Sequence, residues 1–353
     1  MLNIKWSFLL FIISSFVGTA EPVAKILPIT AEVGNPVELG KVNWERRLEK
    51  GIKMAEFQNK PIFLLFQEVP GCATCRSYGH NVLSHPLIVE AIEDLFTPVA
   101  IYNNKGGEDA KVLAYFREPS WNNPVVRIID TDKKDIVQRI SGNYTPLGVV
   151  QSMIIALKRS GKEVPSYLQL LEQELFANQQ GTEKATLSMY CFWTGEKNLG
   201  ALEGVIETQP GFMNGREVVQ VAFDPSLISY EHLVEEAQKA QCASRVYADA
   251  SDQKEKARAI VGKSKVQPLG NFRLDSEPKY YMSKTVYKYL PMTEIQATKA
   301  NSLIGQGKKP DAVLSPRQMA LLSYIRQNLN KKWPEAIGQD LTTAWNKVDQ
   351  IRS

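Results

Sequence analysis

The chain has 353 residues, 44% hydrophobic and 23% charged, with 42 Lys and Arg against 38 Asp and Glu and a net charge of +4. That length accommodates two domains, and so small a charge excess gives no electrostatic case for nucleic acid or an anionic membrane as partner. Four cysteines are few for a disulfide-stapled export protein, and two of them stand in a C-x-x-C, which favours redox chemistry over scaffolding.

Residues 1–20, MLNIKWSFLLFIISSFVGTA, place one lysine before an apolar run from Trp6 to Val17 and close on Gly18 and Ala20. This is the pattern of a secretory signal cleaved after Ala20. The run is shorter than the roughly 20 apolar residues a membrane span needs. No later stretch is apolar enough to cross a membrane, so the mature protein is expected to be periplasmic or secreted. An uncleaved N-terminal anchor is the alternative.

Residues 21–41 are punctuated by Pro and Gly and read as a linker. From Val42 the pattern becomes regular. VNWERRLEKGIKMAEFQNKP predicts an amphipathic helix ending near Pro61. PIFLLFQEV is a continuous apolar run, as in a strand buried on both faces. PGCATCRSYGHNVLSHPLIVEAI predicts a turn and then a helix, LFTPVAIYN a strand, and KVLAYFRE a helix. WNNPVVRIID and DIVQRISG predict two further strands, and PLGVVQSMIIALKRSG a closing helix.

Cys72 would stand at a helix N-terminus, where unpaired N–H groups and the helix dipole favour a thiolate. Cys75 lies one turn on, placed to attack a mixed disulfide at Cys72. A structural disulfide and half of a metal site are the competing readings. Zinc would need further ligands, yet the chain has only His80, His85 and His232 and no second C-x-x-C. No metal and no cofactor is therefore expected.

The order of elements over 42–161 and the strand–turn–CxxC–helix placement resemble the thioredoxin fold. Trp44 and the KPIFLLF before the cysteines belong to the resemblance. It implies that Pro124 is the cis-proline facing the active site. Cys-Ala-Thr-Cys differs from the usual Trp-Cys-Gly-Pro-Cys, which leaves the preferred redox direction open.

Residues 162–183 predict a helix tethering two domains. KATLSMY (184–190) then reads as a strand leading into Cys191-Phe192-Trp193. Gly204-Val205 follows, with Ala201–Gly204 expected on the helix after CFW. Glu217 opens the strand-like run Val218–Phe223, and DPS (224–226) and ISY (228–230) come next. Taken alone, Cys191 could be a buried core cysteine, Phe192 and Trp193 core aromatics, and Glu217 a strand-end residue.

The ordered series resembles the A-type peptide methionine sulfoxide reductases over about 184–290. The resemblance implies a ferredoxin-like α/β domain following the thioredoxin-like one, so the fold class is α/β and α+β. It makes Cys191 the nucleophile, Glu217 the acid, and Phe192 and Trp193 the pocket for the substrate methyl, with Phe212 beside them. A thiolate is the soft nucleophile that attack at sulfoxide sulfur needs, a carboxylic acid can protonate the leaving oxygen, and sulfur packs well on aromatic rings.

The resemblance has gaps. Gly211–Arg216 replaces a long tyrosine-bearing loop of the family, Tyr190 and Thr194 stand where glycines are usual, and the late His-Gln pair is absent. Tyr190, Tyr247, Tyr280 and Tyr281 are the remaining donors for a substrate oxygen. Cys242 is either the resolving cysteine or a small core residue. The implied partners are oxidised proteins or peptides and an external thiol reductant, with thioredoxin or a membrane thiol shuttle in that role. A thiol–disulfide oxidoreductase whose second domain only recognises substrate is the alternative function. Residues 291–353 predict amphipathic helices with a basic bias, able to pack on the second domain or to dock a partner.

Overall fold

The computed structural model describes residues 34–121 and 124–352. The expected signal at 1–20 lies outside them, as does residue 123, so the peptide bond behind the cis expectation at Pro124 is outside them too. The described cis X-Pro bond is Val69–Pro70.

Helix α1 (Leu48–Gln58) leads into β1 (Ile62–Gln67), whose six side chains are all buried. A strand with no polar face must be covered on both sides, and β1 accordingly lies inside a four-stranded sheet. It runs parallel to β2 (Thr97–Tyr102) and antiparallel to β3 (Val125–Ile129), which pairs with β4 (Ile140–Ser141); the order is β2-β1-β3-β4. Between β1 and β2 stand α2 (Ala73–Asn81) and α3 (Pro86–Leu95), and α4 (Glu108–Phe116) follows β2. The single helix expected after the cysteines is thus two, because the chain turns at 82–85 and Pro86 starts a new helix at its first turn. Leu48, Ile52, Leu113 and Phe116 from α1 and α4 cover Ile62, Leu64 and Phe66 on one face. Residues of α2, α3 and α5 (Pro146–Arg159) cover Phe63 and Leu65 on the other.

Of the segment read as a linker at 21–41, residues 34–41 are described, and they pack on the first sheet's core. Glu38 and Leu39 are buried, and Glu38 fastens the loop before Cys72. Helix α6 (Ser166–Gln180), expected as a tether, buries Tyr167, Leu168 and Leu171 in the core of the first sheet.

The second sheet follows the order β5 (Glu183–Ser188), α7 (Phe192–Leu199), β6 (Val205–Met213), β7 (Arg216–Phe223), α8 (Tyr230–Lys239), β8 (Arg245–Tyr247). After α9 (Ser251–Val261) come the short strands β9 (Val266–Gln267) and β10 (Phe272–Leu274), then α10 (Tyr280–Ser283). The strand order is β10-β6-β7-β5-β8-β9, with β8–β9 the parallel pair.

Two local expectations change here. The helix after CFW stops at Leu199 rather than running through 201–204, because Gly204 takes a positive φ of 79° to start β6. A Cβ at Gly204 would also lie 2.8 Å from Ile228 Cγ2. Gly211–Arg216, expected as a shortened loop, is the tip of the β6–β7 hairpin. Asn214 and Gly215 turn it with φ of 50° and 72°, the two positive angles that a tight hairpin turn requires.

The C-terminal helices α11 (Glu294–Gly305), α12 (Pro316–Gln327) and α13 (Leu341–Arg352) join both sheets. Leu321, Leu322, Ile325, Trp345 and Val348 share the core of the first sheet with Leu87 and Ile88 of α3. Arg317 of α12 reaches Glu93 Oε2 at 2.6 Å, and its N–H donates to Glu90 at 2.8 Å. Toward the second sheet, Lys299 Nζ of α11 donates to the carbonyls of Gly200 and Leu202, and Ser302 Oγ to that of Lys197. These bonds satisfy carbonyls at the C-terminal end of α7, which no intrahelical N–H reaches. The region expected to pack on the second domain or dock a partner therefore braces both sheets.

Candidate functional site

Cys191 ends the strand-to-helix turn after β5 and is the N-cap of α7. Helix α7 lies close on the sheet: a Cβ at Gly195 would stand 2.9 Å from Val219 Cγ2 and closer still to the Met189 sulfur. Glu217, at the start of β7 and half-buried, accepts a 2.9 Å hydrogen bond at Oε2 from the N–H of Phe192. Its carbonyl accepts from Met189 N–H. The carboxylate is thereby tied to the first peptide group after the cysteine. Residues 26 positions apart in sequence, Cys191 and Glu217, thus meet at one helix N-terminus.

The aromatic residues gather beside them. Phe192 is 5% exposed and meets Trp193 at 5.7 Å and Phe212 at 5.3 Å between ring centroids, both edge-to-face. Phe212 is the cross-strand partner of Glu217. Of the four candidate tyrosines, Tyr190 is almost fully exposed and Tyr247 is buried with Met213 and Val218. Tyr280 stacks on Trp193, with ring centroids 3.7 Å apart and planes at 10°, and Tyr281 meets Tyr280 at 5.6 Å.

That stack rests on a buried ionic anchor that sequence reasoning missed. Glu196, one turn along α7 and fully buried, accepts from the N–H groups of Lys279 (3.1 Å) and Tyr280 (3.4 Å). Burial pushes its carboxyl up to about 7. Burial alone would lower the Lys279 ammonium, but Glu294 and Glu196 outweigh it and leave it raised. Lys279 Nζ reaches Glu294 Oε1 at 2.7 Å and the Thr208 carbonyl at 2.8 Å. Its φ of 54° is unusual for a residue with a side chain. A buried non-glycine residue in this conformation, between Trp193 and the C-terminal brace, is the signal of a position fixed by its surroundings. Glu196 and Lys279 are 83 residues apart, and nothing in local periodicity links them.

Cys242 follows α8 and is 1% exposed. Its Sγ accepts a weak contact from Asn198 Nδ2 of α7 at 3.7 Å. Burial raises its thiol; the Asn198 contact and the Lys197 ammonium oppose the rise, and Cys191 adds to it.

The second centre is at the N-terminus of α2. Cys72, exposed, is the N-cap; Cys75 is fully buried, and the sulfurs are 3.4 Å apart. The Cys75 N–H aimed at the Cys72 sulfur holds that thiol below its usual range, whereas burial pushes Cys75 up to about 12. The turn before them is pinned. Gly71 N–H donates to Glu38 Oε1 (2.8 Å), Asn104 bonds Val69 N–H and the Pro70 carbonyl (both 3.2 Å), and Gln67 Nε2 holds the Cys75 carbonyl (3.0 Å). Of the histidines, His80 is exposed on α2, His85 is half-buried at the start of α3, and His232 is exposed on α8.

No protein-family model matches the chain. Among curated proteins it is 27% identical over 135 residues to peptide methionine sulfoxide reductase MsrA 1 of Nostoc sp., covering 30% of this chain and 83% of that one. It is 28% identical over 131 residues to the mitochondrial peptide methionine sulfoxide reductase of Mus musculus, covering 32% of this chain and half of that one. About 30% of the chain is an MsrA-like domain. A shorter stretch is 35% identical over 69 residues to MsrA of Geobacter sulfurreducens, spanning 43% of that protein. The MsrA-like homologues carry the name of an oxidoreductase. The solved methionine sulfoxide reductase A of Corynebacterium diphtheriae aligns over 30% of this chain and 76% of its own, at 22% identity and a TM-score of 0.26.

Proposed function

We propose that the protein is a thiol-dependent reductase of protein methionine-S-sulfoxide, exported to the periplasm or beyond. The observation that carries this reading is the 2.9 Å bond from Phe192 N–H to Glu217 Oε2 beside Cys191 at the start of α7. It joins nucleophile, acid and aromatic wall in one place. In the proposed reaction the Cys191 thiolate attacks the sulfoxide sulfur, Glu217 in its acid form protonates the oxygen, and methionine leaves as Cys191 becomes a sulfenic acid. A thiol then condenses with the sulfenic acid, losing water and forming a disulfide. Cys242 is the proposed resolving thiol within the domain; its sulfur meets Asn198 of α7, the helix that Cys191 caps, which supports the role.

The Cys72–Cys75 pair is the proposed recycler. Cys72 attacks the disulfide, Cys75 displaces it, and an external thiol reductant reopens the Cys72–Cys75 bond. The sheet order β2-β1-β3-β4 and the C-x-x-C at the junction of β1 and α2 support a thioredoxin-like reading of this half. The second reading, a thiol–disulfide oxidoreductase with a recognition domain, draws on the exposed Cys72 and its lowered thiol.

Steady-state turnover of a dabsylated methionine-S-sulfoxide with dithiothreitol tests the first reading. Glu217→Gln should lower kcat by on the order of 100-fold or more, the scale of a positioned acid, and Cys191→Ser should remove turnover. Wild-type rates in folded Cys191→Ser protein would refute it.

A further inference from the structure

We infer that the reduced Cys72–Cys75 pair, joined by Glu68, forms a binding site for one zinc ion. Glu68, Cys72 and Cys75 each offer one ligand atom, and these atoms lie within 4.8 Å of one another. Counting histidines and C-x-x-C motifs leaves the pair short of ligands. The fold supplies a third from a carboxylate four residues upstream, at the end of β1.

The donor set selects the ion. Two thiolates favour zinc or cuprous copper, while a carboxylate is a poor ligand for the cuprous ion and an ordinary one for zinc. Zinc bonds sulfur at about 2.3 Å, which sets two tetrahedral thiolates about 3.8 Å apart. The sulfurs here stand at 3.4 Å, so small side-chain rotations suffice. Backbone rearrangement is not needed, because Glu38, Asn104 and Gln67 already pin the turn and the helix start.

Cys75 and half-buried Glu68 form the inner side of the site, while Cys72 is exposed. That geometry leaves the outer position for water or an incoming thiolate, the open fourth position of a three-ligand zinc site. Binding displaces the two thiol protons and changes no oxidation state. A zinc-loaded pair cannot form a disulfide, so the ion would protect the dithiol and hold it out of exchange.

The inference rests on geometry and needs only reduced thiols, not the proposed electron relay. Its test is titration of the reduced, oxygen-free protein with zinc in competition with a chromogenic chelator, and with cobalt as a spectroscopic probe of thiolate ligation. One ion per chain is expected, with thiolate-to-cobalt charge-transfer bands and slowed alkylation of Cys72. Cys72→Ser should lose the ion, Cys191→Ser should keep it, and Glu68→Gln should weaken it by on the order of tenfold or more, each variant being checked for folding by circular dichroism. Equal affinity in wild type and Glu68→Gln would overturn the assignment, as would stoichiometric binding by Cys72→Ser or none by wild type. Loss of insulin reduction with zinc binding intact would count against the redox reading alone.

Discussion

Cys72 and Cys191 are placed by the same local device and given different neighbours. Each follows a strand, and each is the N-cap of the next helix. At Cys72 the nearest chemical partner is a second thiol 3.4 Å away, buried and raised to about 12. At Cys191 a carboxylate bonded to the next peptide N–H and a group of aromatic rings stand close by. In the proposed reading the strand–cysteine–helix turn supplies a nucleophile, and what the rest of the fold sets beside it distinguishes disulfide exchange from attack on a sulfoxide.

The comparison breaks most sharply under Cys75→Ala. Reduction of insulin disulfides should fall to background, and Cys72 should accumulate as a mixed disulfide visible by mass spectrometry, since the displacing thiol is gone. Cys191→Ser should slow the same assay by less than about twofold, the noise of distant, independent sites. Equal losses in the two variants would mean that the centres form one active site.

A smaller effect sharpens the Cys191 side. Tyr280→Ala removes the ring stacked on Trp193, and KM for the sulfoxide should rise by about three- to tenfold with a smaller change in kcat, the scale of one sulfur–aromatic contact. A fall in KM would instead make Tyr280 a cover that substrate must displace.

Much of this was legible in the chain. The unbroken apolar run Ile62–Phe66 announces a strand covered on both faces, and β1 is one. CFW, Glu217 and the DPS-ISY segment mark the region around Cys191, and Ser229 of ISY caps α8 through His232 N–H. The Asn214-Gly215 pair carries a hairpin signal of its own, and it is this turn chemistry, not a shortened loop, that joins β6 to β7.

Other features had no local signal. Glu196 and Lys279 stand in no motif, and only tertiary packing brings them together under Tyr280. Glu68 falls within the run PIFLLFQEV and carries no motif, and its approach to the cysteines depends on the pinned turn at 68–71. The C-terminal helices read as separate amphipathic pieces, since the surfaces they cover come from both sheets and lie far back in the chain, 99 residues for Lys299 to Gly200 and 227 for Arg317 to Glu90.

The central claim is that the Cys191 centre reduces methionine sulfoxide. Its most direct test is a single turnover, in which the fully reduced protein meets one equivalent of a methionine-S-sulfoxide peptide with no added thiol, and the methionine formed and thiols lost are counted by mass spectrometry. The account predicts one methionine per chain with Cys191 among the oxidised thiols, and none from Cys191→Ser. Methionine formed equally by Cys191→Ser, or no methionine from folded wild-type protein whose Cys72–Cys75 pair still reduces insulin, would contradict it.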